Sequence, residues 1–308
     1  MKTVFFHMNQ LGDLLFSLPV IKAAADSGVG ISCIVRTQLA PILEIAGIEA
    51  EIIPKEESFS SILAKLRGNS VDRAILFSES PKSLCAAFLS GIKERIGFQS
   101  ASLSFLLTKK AQRRGVPSLF NNRNLGISAG LKNIKADYTD IIKIPQAYFD
   151  NVNLWLKERG IDSARIIAIS CGASAKREQK TLSKTLWAEI IDALFERGFI
   201  PVLSGASFER EMMSGISHLC RRRPEIFSAE KGILDSAAFL KTAPLFLGID
   251  SGAMHLAAAV GTKCIGIFTS TDPLQIGPMP LEKHIIVEKE KNSISAADIL
   301  NLPVFCAK

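Results

Sequence analysis

Short apolar runs alternate with helix-length amphipathic segments along most of this chain, and that rhythm constrains its fold more than any other feature. TVFFH (3–7), ISCIV (31–35), AEII (50–53) and DRAILF (72–77) read as strands, with helices over about 13–25, 38–46, 58–67 and 81–90. The runs are rich in Ile, Val and Phe, as strands covered on both faces must be. Strands separated by helices form βαβ units, and such units build parallel sheets. The stretch from about 99 to 147 is less regular, with Gly, Pro and Asn punctuation in RRGVPSLFNNRN. A helix over 147–159 then stops at Gly160. The alternation resumes with RIIAIS (165–170), FIPVLS (199–204), PLFLGI (244–249), CIGIF (264–268) and HIIVE (284–288). Helices are expected over about 183–197, 207–219, 235–241 and 252–260, and a last one at SAADILN. The simplest reading is an α/β chain of two doubly wound parallel-sheet units with a hinge near 145–163, although no sequence repeat relates the halves. A length of 308 residues suits two such domains, here drawn as 1–148 and 149–308.

Composition narrows the class. Hydrophobic residues make up 47% and charged ones 22%, enough apolar surface for sizeable cores. No apolar run reaches the length of a membrane-spanning helix. The start, MKTVFFHMNQ, lacks the long apolar region of a secretory signal, so a cytoplasmic location is expected. Six cysteines are widely spaced with no CxxC, which reads as buried reduced thiols rather than a disulfide or metal framework. Net charge is +7, and between Lys93 and Lys135 nine basic residues face one acid, Glu94. Such a segment either attracts phosphate or anionic lipid headgroups, or is simply a solvated surface. Nucleic acid is not expected as a partner, because aromatics are scarce there and no recognised nucleic-acid module is present.

In open parallel sheets, ligands bind outside the carboxyl ends of the strands. Four loops lie there. In NQLGDLLFSLP, Gly12 permits a tight turn, and Asp13 is either a helix cap or a general base. In SCGASAKREQK, small residues including Gly172 and Ser174 expose backbone N–H groups, and Lys176, Arg177 and Lys180 follow; this suits a diphosphate or a flexible basic loop. In SGASFE, Gly205 precedes Glu209, which either accepts from ribose hydroxyls or faces water. The fourth loop opens a small-residue helix with Asp250, Ser251 and Gly252, and carries His255 one turn in. The next strand ends in TSTDP, which supplies Thr271 and Asp272. Helix-start N–H groups and clustered hydroxyls make this the strongest anion-site signal.

Taken in order, these segments resemble glycosyltransferase family 9, the lipopolysaccharide heptosyltransferase family. The resemblance rests on Gly12-Asp13-Leu14-Leu15 through Pro19, then Cys171-Gly172-Ala173-Ser174 with Lys180 and Trp187, and Gly205 with Glu209. Its most specific part is Asp250-Ser251-Gly252, His255-Leu256-Ala257-Ala258-Ala259 and Gly261, followed by Phe268, Thr271-Asp272-Pro273 and Gly277-Pro278. Two positions depart from the pattern: Lys180 is followed by Thr181-Leu182-Ser183 rather than Trp-Pro, and Thr269 stands where the family has Gly.

The resemblance implies a GT-B type architecture of two Rossmann-like domains facing a central cleft, the first binding the acceptor and the second the nucleotide sugar. It implies inverting, metal-independent transfer of a sugar, best taken as heptose from ADP-heptose, onto the lipopolysaccharide inner core. Asp13 and Lys180 would be catalytic. Gly172, Ser174, Glu209, Asp250, Ser251, Gly252, His255, Thr271 and Asp272 would hold the donor and its diphosphate. Gly12, Lys109, Lys110, Arg113, Arg114 and Arg123 would meet a phosphorylated lipid A-core acceptor, with peripheral contact at the cytoplasmic face of the inner membrane. No cofactor or metal is implied beyond the nucleotide-sugar donor. The alternatives are a member using another nucleotide sugar, a nucleotide-sugar epimerase, or a non-catalytic nucleotide-sugar-binding protein of the same architecture. The last helix is the element most readily imagined returning to the first domain.

Overall fold

Strands buried on both faces need helices above and below, and each apolar run meets that need as a strand of a wholly parallel sheet. The computed structural model describes residues 1–7, 10–115, 117–172, 180–228 and 232–306. The chain divides into two compact units, Met1–Lys143 and Ile144–Lys308. The boundary expected after 148 falls inside a helix, α6 (Gln146–Glu158), which belongs wholly to the second unit. Gly160 follows α6 with φ +62, the left-handed conformation that ends a helix most readily when no Cβ is present.

The first unit runs β1 (Lys2–Phe6), α1 (Leu11–Asp26), β2 (Gly30–Val35), α2 (Ala40–Ile45), β3 (Glu51–Pro54), α3 (Phe59–Gly68), β4 (Arg73–Leu76), α4 (Pro81–Leu89), β5 (Glu94–Phe98), β6 (Lys109–Ala111) and α5 (Ser118–Ser128). Its strand order is β3-β2-β1-β4-β5-β6. The second unit continues after α6 with β7 (Ile166–Ser170), α7 (Lys184–Glu196), β8 (Ile200–Gly205), α8 (Arg210–Leu219), β9 (Glu225–Ser228), α9 (Ile233–Thr242), β10 (Leu245–Ile249), α10 (Gly252–Ala259), β11 (Lys263–Phe268), α11 (Pro273–Ile276), β12 (Ile285–Glu288), α12 (Ala296–Leu300) and α13 (Pro303–Cys306). Its order is β12-β11-β10-β7-β8-β9, the same winding as the first. In both sheets the order reverses beside the first strand, between β1 and β4 and between β7 and β10.

The expected strands are all present, but β5, β6, β9 and α5 were not anticipated. The reason is polar residues inside short strands. β5 begins Glu94-Arg95, and β6 is only Lys109-Lys110-Ala111. Glu94 accepts from Arg73 at 2.5 Å and from Lys109 at 2.6 Å, so three neighbouring strand starts share one carboxylate. β6 and β9 are edge strands, where charge is tolerated.

Each unit packs its own core. Val4, Phe6, Ile34, Ile53, Ala74 and Leu76 anchor a cluster in the first, and Ile167, Ile169, Trp187, Ile190, Leu247 and Ile265 one in the second. α12 lies on α7 within its own unit, where Arg197 donates to the Leu300 carbonyl and Phe199 packs edge-on to Phe305. The thiols of Cys33, Cys171, Cys220 and Cys264 are buried and free, and Cys85 is half-buried and free.

The two central strands of the second sheet approach closely at Gly248, which pairs with Ser170. A Cβ on Gly248 would stand 2.7 Å from the Ser170 carbonyl oxygen and 2.7 Å from the Phe246 ring. Gly248→Val should therefore lower stability by at least ~1–3 kcal/mol through overpacking. Urea unfolding checks this; an unchanged midpoint would show that β7 and β10 can part at no cost.

Candidate functional site

In the second unit the site forms where the strand order reverses. Lys180 lies between β7 and α7 in sequence and is only 5% exposed. A buried ammonium needs a counter-charge, and Lys180 donates to Oδ2 of Asp250, the residue that follows β10. The same oxygen accepts from Thr271 Oγ1 at 2.8 Å, and Asp250 Oδ1 lies 3.7 Å from His255 Nε2. Burial alone would raise the Asp250 carboxyl, but the His255 ring and the Lys180 ammonium outweigh it and hold the group down at about 2. Ser251 adopts an extended conformation at the start of α10, and Gly252 is its first residue. The first N–H groups of α10 are left for a ligand by helix geometry. The hydroxyls of Ser251 and Thr269 are buried without a hydrogen-bond partner among the described residues, so both keep capacity for a polar ligand.

Gly172 and Gly205 make room for Glu209. A Cβ on Gly172 would collide with Glu209 Oε1 at 1.8 Å, and one on Gly205 would meet Oε2 at 2.9 Å. Oε2 accepts the Ala206 N–H at 2.8 Å. Burial raises the Glu209 carboxyl above its ordinary range, partly offset by that N–H. Of the two readings that the sequence left open, Glu209 is thus a fitted group rather than a solvated carboxylate. Asp272 caps α11 by accepting the Leu274 N–H at 2.8 Å. Ser174, Lys176 and Arg177 lie outside the described residues.

In the first unit, Asp13 is the third residue of α1, and its Oδ2 accepts the Gln10 N–H at 3.2 Å. It therefore caps the helix from inside. Gly12 is a buried residue of α1 rather than a turn. His7, just past β1, is buried and lies 3.2 Å from the Gln10 carbonyl through Nε2. Burial pushes the His7 imidazole down to about 4, although the Asp13 carboxylate opposes this; Lys55 and Arg36 add to the lowering. Burial also lowers the Lys55 ammonium, and Arg36 and Lys82 push the same way. Arg36 Nε is buried without a hydrogen-bond partner among the described residues. Arg36 follows β2, Lys55 follows β3 and Lys82 is the second residue of α4, so cations beyond three strand ends meet at Lys55, where the Glu56 and Asp13 carboxylates oppose them.

None of these three cations was singled out from the sequence. The available signal was position: each follows a strand by no more than six residues. The long basic segment, more conspicuous in sequence, is divided among separate neighbours in the structure. Lys109 pairs with Glu94, Arg113 pairs with Glu79 at 2.6 Å and lies over the Phe98 ring, and Arg123 donates to the Ile134 carbonyl at 3.3 Å. Lys109 and Lys110 open β6, whereas Arg113 and Arg114 follow it.

The sequence model of glycosyltransferase family 9 (heptosyltransferase) matches residues 60–299. This chain belongs to glycosyltransferase family 9. Lipopolysaccharide heptosyltransferase 3 of Escherichia coli is 23% identical over 281 residues, covering 85% of this chain and 81% of its own. The structure of E. coli ADP-heptose LPS heptosyltransferase II matches with a TM-score of 0.82 at 17% identity, over 98% of this chain and 97% of that one. E. coli heptosyltransferase WaaC with ADP-2-deoxy-2-fluoro heptose matches with a TM-score of 0.78 at 18% identity, over the full length of both. As a family 9 member the chain is a glycosyltransferase, and its architecture is of the GT-B class. Among the described residues, no group of three or more His, Cys, Asp or Glu is placed to hold a metal ion. No described helix is long and apolar enough to cross a membrane.

Two predictions follow from the charges. Lys180→Ala leaves the buried Asp250 carboxylate uncompensated and should cost about 3–5 kcal/mol, whereas adding Asp250→Asn to it should recover most of the loss. Denaturant titration of both variants tests this, and a double variant no better than the single would dissolve the pairing. The second concerns acid. Unfolded His7 protonates near 6.5 but the folded residue only near 4, so stability falls as pH drops through that window and is complete above it. His284, also pushed down to about 4 by burial, adds to the same slope. His7→Gln should flatten the fall without removing it; melting curves with the parent's slope would mean His7 is not held neutral.

Proposed function

We propose that this glycosyltransferase moves a heptose from ADP-heptose to the inner core of a lipopolysaccharide acceptor. The observation that carries the reading is the buried Lys180–Asp250 pair, with Thr271 and His255, beside the start of α10. A fixed ammonium next to open helix N–H groups suits a diphosphate leaving group. Glu209, held between two glycines one strand away, would accept from the ribose hydroxyls. The ADP-heptose and lipopolysaccharide for which the relatives are named support this choice.

The first unit would take the acceptor. Arg36, Lys55 and Lys82, with Arg113 and Arg114 past β6, offer positive charge to a phosphorylated or carboxylated sugar. Asp13 would accept the proton of the acceptor hydroxyl. That oxygen then forms its bond to the anomeric carbon as the bond to the diphosphate oxygen breaks on the opposite face, so configuration inverts. Lys180 and the α10 N–H groups take up the charge that grows on the diphosphate. Neutral His7 beside Asp13 keeps a second proton out of the base's surroundings at physiological pH. No metal is assigned a part. An acceptor borne on lipid A places the work at the cytoplasmic face of the inner membrane.

Asp13→Asn should keep the fold and the affinity for donor while slowing transfer by ~10²–10⁴-fold, the usual worth of general-base help. Turnover like the parent's would leave Asp13 as a helix cap only. Calorimetry with ADP-, UDP-, GDP- and CMP-linked sugars in the presence of a chelator tests the donor. Preference for a base other than adenine, or binding lost to the chelator, would overturn that part of the reading.

A further inference from the structure

The first unit exposes an aromatic patch at the end of its sheet where the strands begin. Phe105 is 72% exposed, Leu89 48% and Phe88 47%. Phe88 and Leu89 end α4, and Phe105 lies in the single turn Ser104–Leu106 that leads into β6. Arg95 joins the two parts: its guanidinium lies 5.3 Å from the Phe88 ring centre, and its Nε donates to the Leu106 carbonyl at 2.7 Å. Arg67 closes the other side by donating to the Leu89 carbonyl at 2.9 Å.

The rim is cationic. Lys93, Lys109, Lys110 and Arg67 are exposed around these apolar side chains. The Glu94 carboxylate is taken by Arg73 and Lys109, and that of Asp72, just before β4, accepts the Lys2 N–H. Lys93 and Lys110 have no carboxylate partner among the described residues. The three large side chains carry no hydrogen-bonding group. They therefore suit a partner with an apolar interior beneath an anionic surface better than a polar protein face. The patch stands at the strand starts, whereas His7, Asp13, Arg36 and Lys55 follow strand ends. A five-residue strand such as β5 separates the two ends by about 17 Å at 3.3–3.4 Å per residue. Occupation of the patch thus leaves the candidate site open.

We propose that this patch is a docking surface for an anionic lipid bilayer. Phe105, Phe88 and Leu89 enter the interfacial layer, while Lys93, Lys110, Arg67 and Arg95 meet headgroup phosphates. The inference is independent of which sugar is transferred.

The test is cosedimentation of the full chain with vesicles of phosphatidylcholine alone and of phosphatidylcholine mixed equally with phosphatidylglycerol. Binding is expected to the mixed vesicles only and to weaken steeply with added salt. Phe105→Ser should lower the bound fraction about tenfold, as loss of a buried aromatic predicts. Lys93→Glu should lower it further on anionic vesicles. Both variants should transfer sugar to a delipidated acceptor at the parent's rate, so failure here is separable from failure of the proposed reaction. Phe105→Trp gives a second readout, a fluorescence blue shift on mixed vesicles. Absence of vesicle binding, or binding unaffected by both Phe105→Ser and Lys93→Glu, overturns the proposal. So does concentration-dependent dimerisation that Phe105→Ser abolishes, which would give the patch to a second copy of the chain.

Discussion

An ammonium group sealed from water is tolerable only beside a negative charge, and in this chain that requirement ties Lys180, before α7, to the end of β10. Lys180 and Asp250 are seventy residues apart in sequence and adjacent at the reversal of strand order. The pair fixes the direction of the Lys180 side chain and gives Asp250 a second duty, since the same carboxylate oxygen also receives the Thr271 hydroxyl. Thr271 belongs to the segment after β11, so one carboxylate gathers three strand-end segments. Buried pairs of this kind add little net stability against an apolar replacement, yet breaking one is costly. Their value here is geometric: they set donors around one point before any ligand arrives.

The first unit uses charge differently. Arg36 and Lys55 are half-exposed and Lys82 is exposed; they come from beyond three separate strand ends, and Arg36 and Lys82 add to the burial that lowers the Lys55 ammonium while Glu56 and Asp13 oppose it. Such an arrangement is relaxed by an anion and strained without one. The described site of the second unit is internally neutralised, whereas in the first unit cations gather beyond the strand ends.

Much of this was legible in the sequence, and the gaps have physical causes. Strands covered on both faces announce themselves through unbroken Ile, Val and Phe, so TVFFH, RIIAIS and PLFLGI were plain. β5 and β6 were hidden because their starts carry the charges that Glu94 neutralises across strands, a compensation visible only once the strands are paired. The Asp250–His255 helix start was readable because its small residues and hydroxyls sit together in sequence. Arg36, Lys55 and Lys82 were not, because nothing local distinguishes a single cation after a strand from any other. In the basic segment, residues clustered in sequence are distributed over β6, α5 and the turns beside them and meet different neighbours, which their spacing does not announce.

The two sheets share one winding order, and among the described strands neither borrows from the other. The chain reaches Lys143 with its first sheet already complete. A ribosome making this protein can therefore expose a complete first sheet before the later strands of the second have emerged. Domains generally fold as units, the N-terminal one first during synthesis. The exposed strand edges that invite aggregation thus need be present for only half a chain at a time.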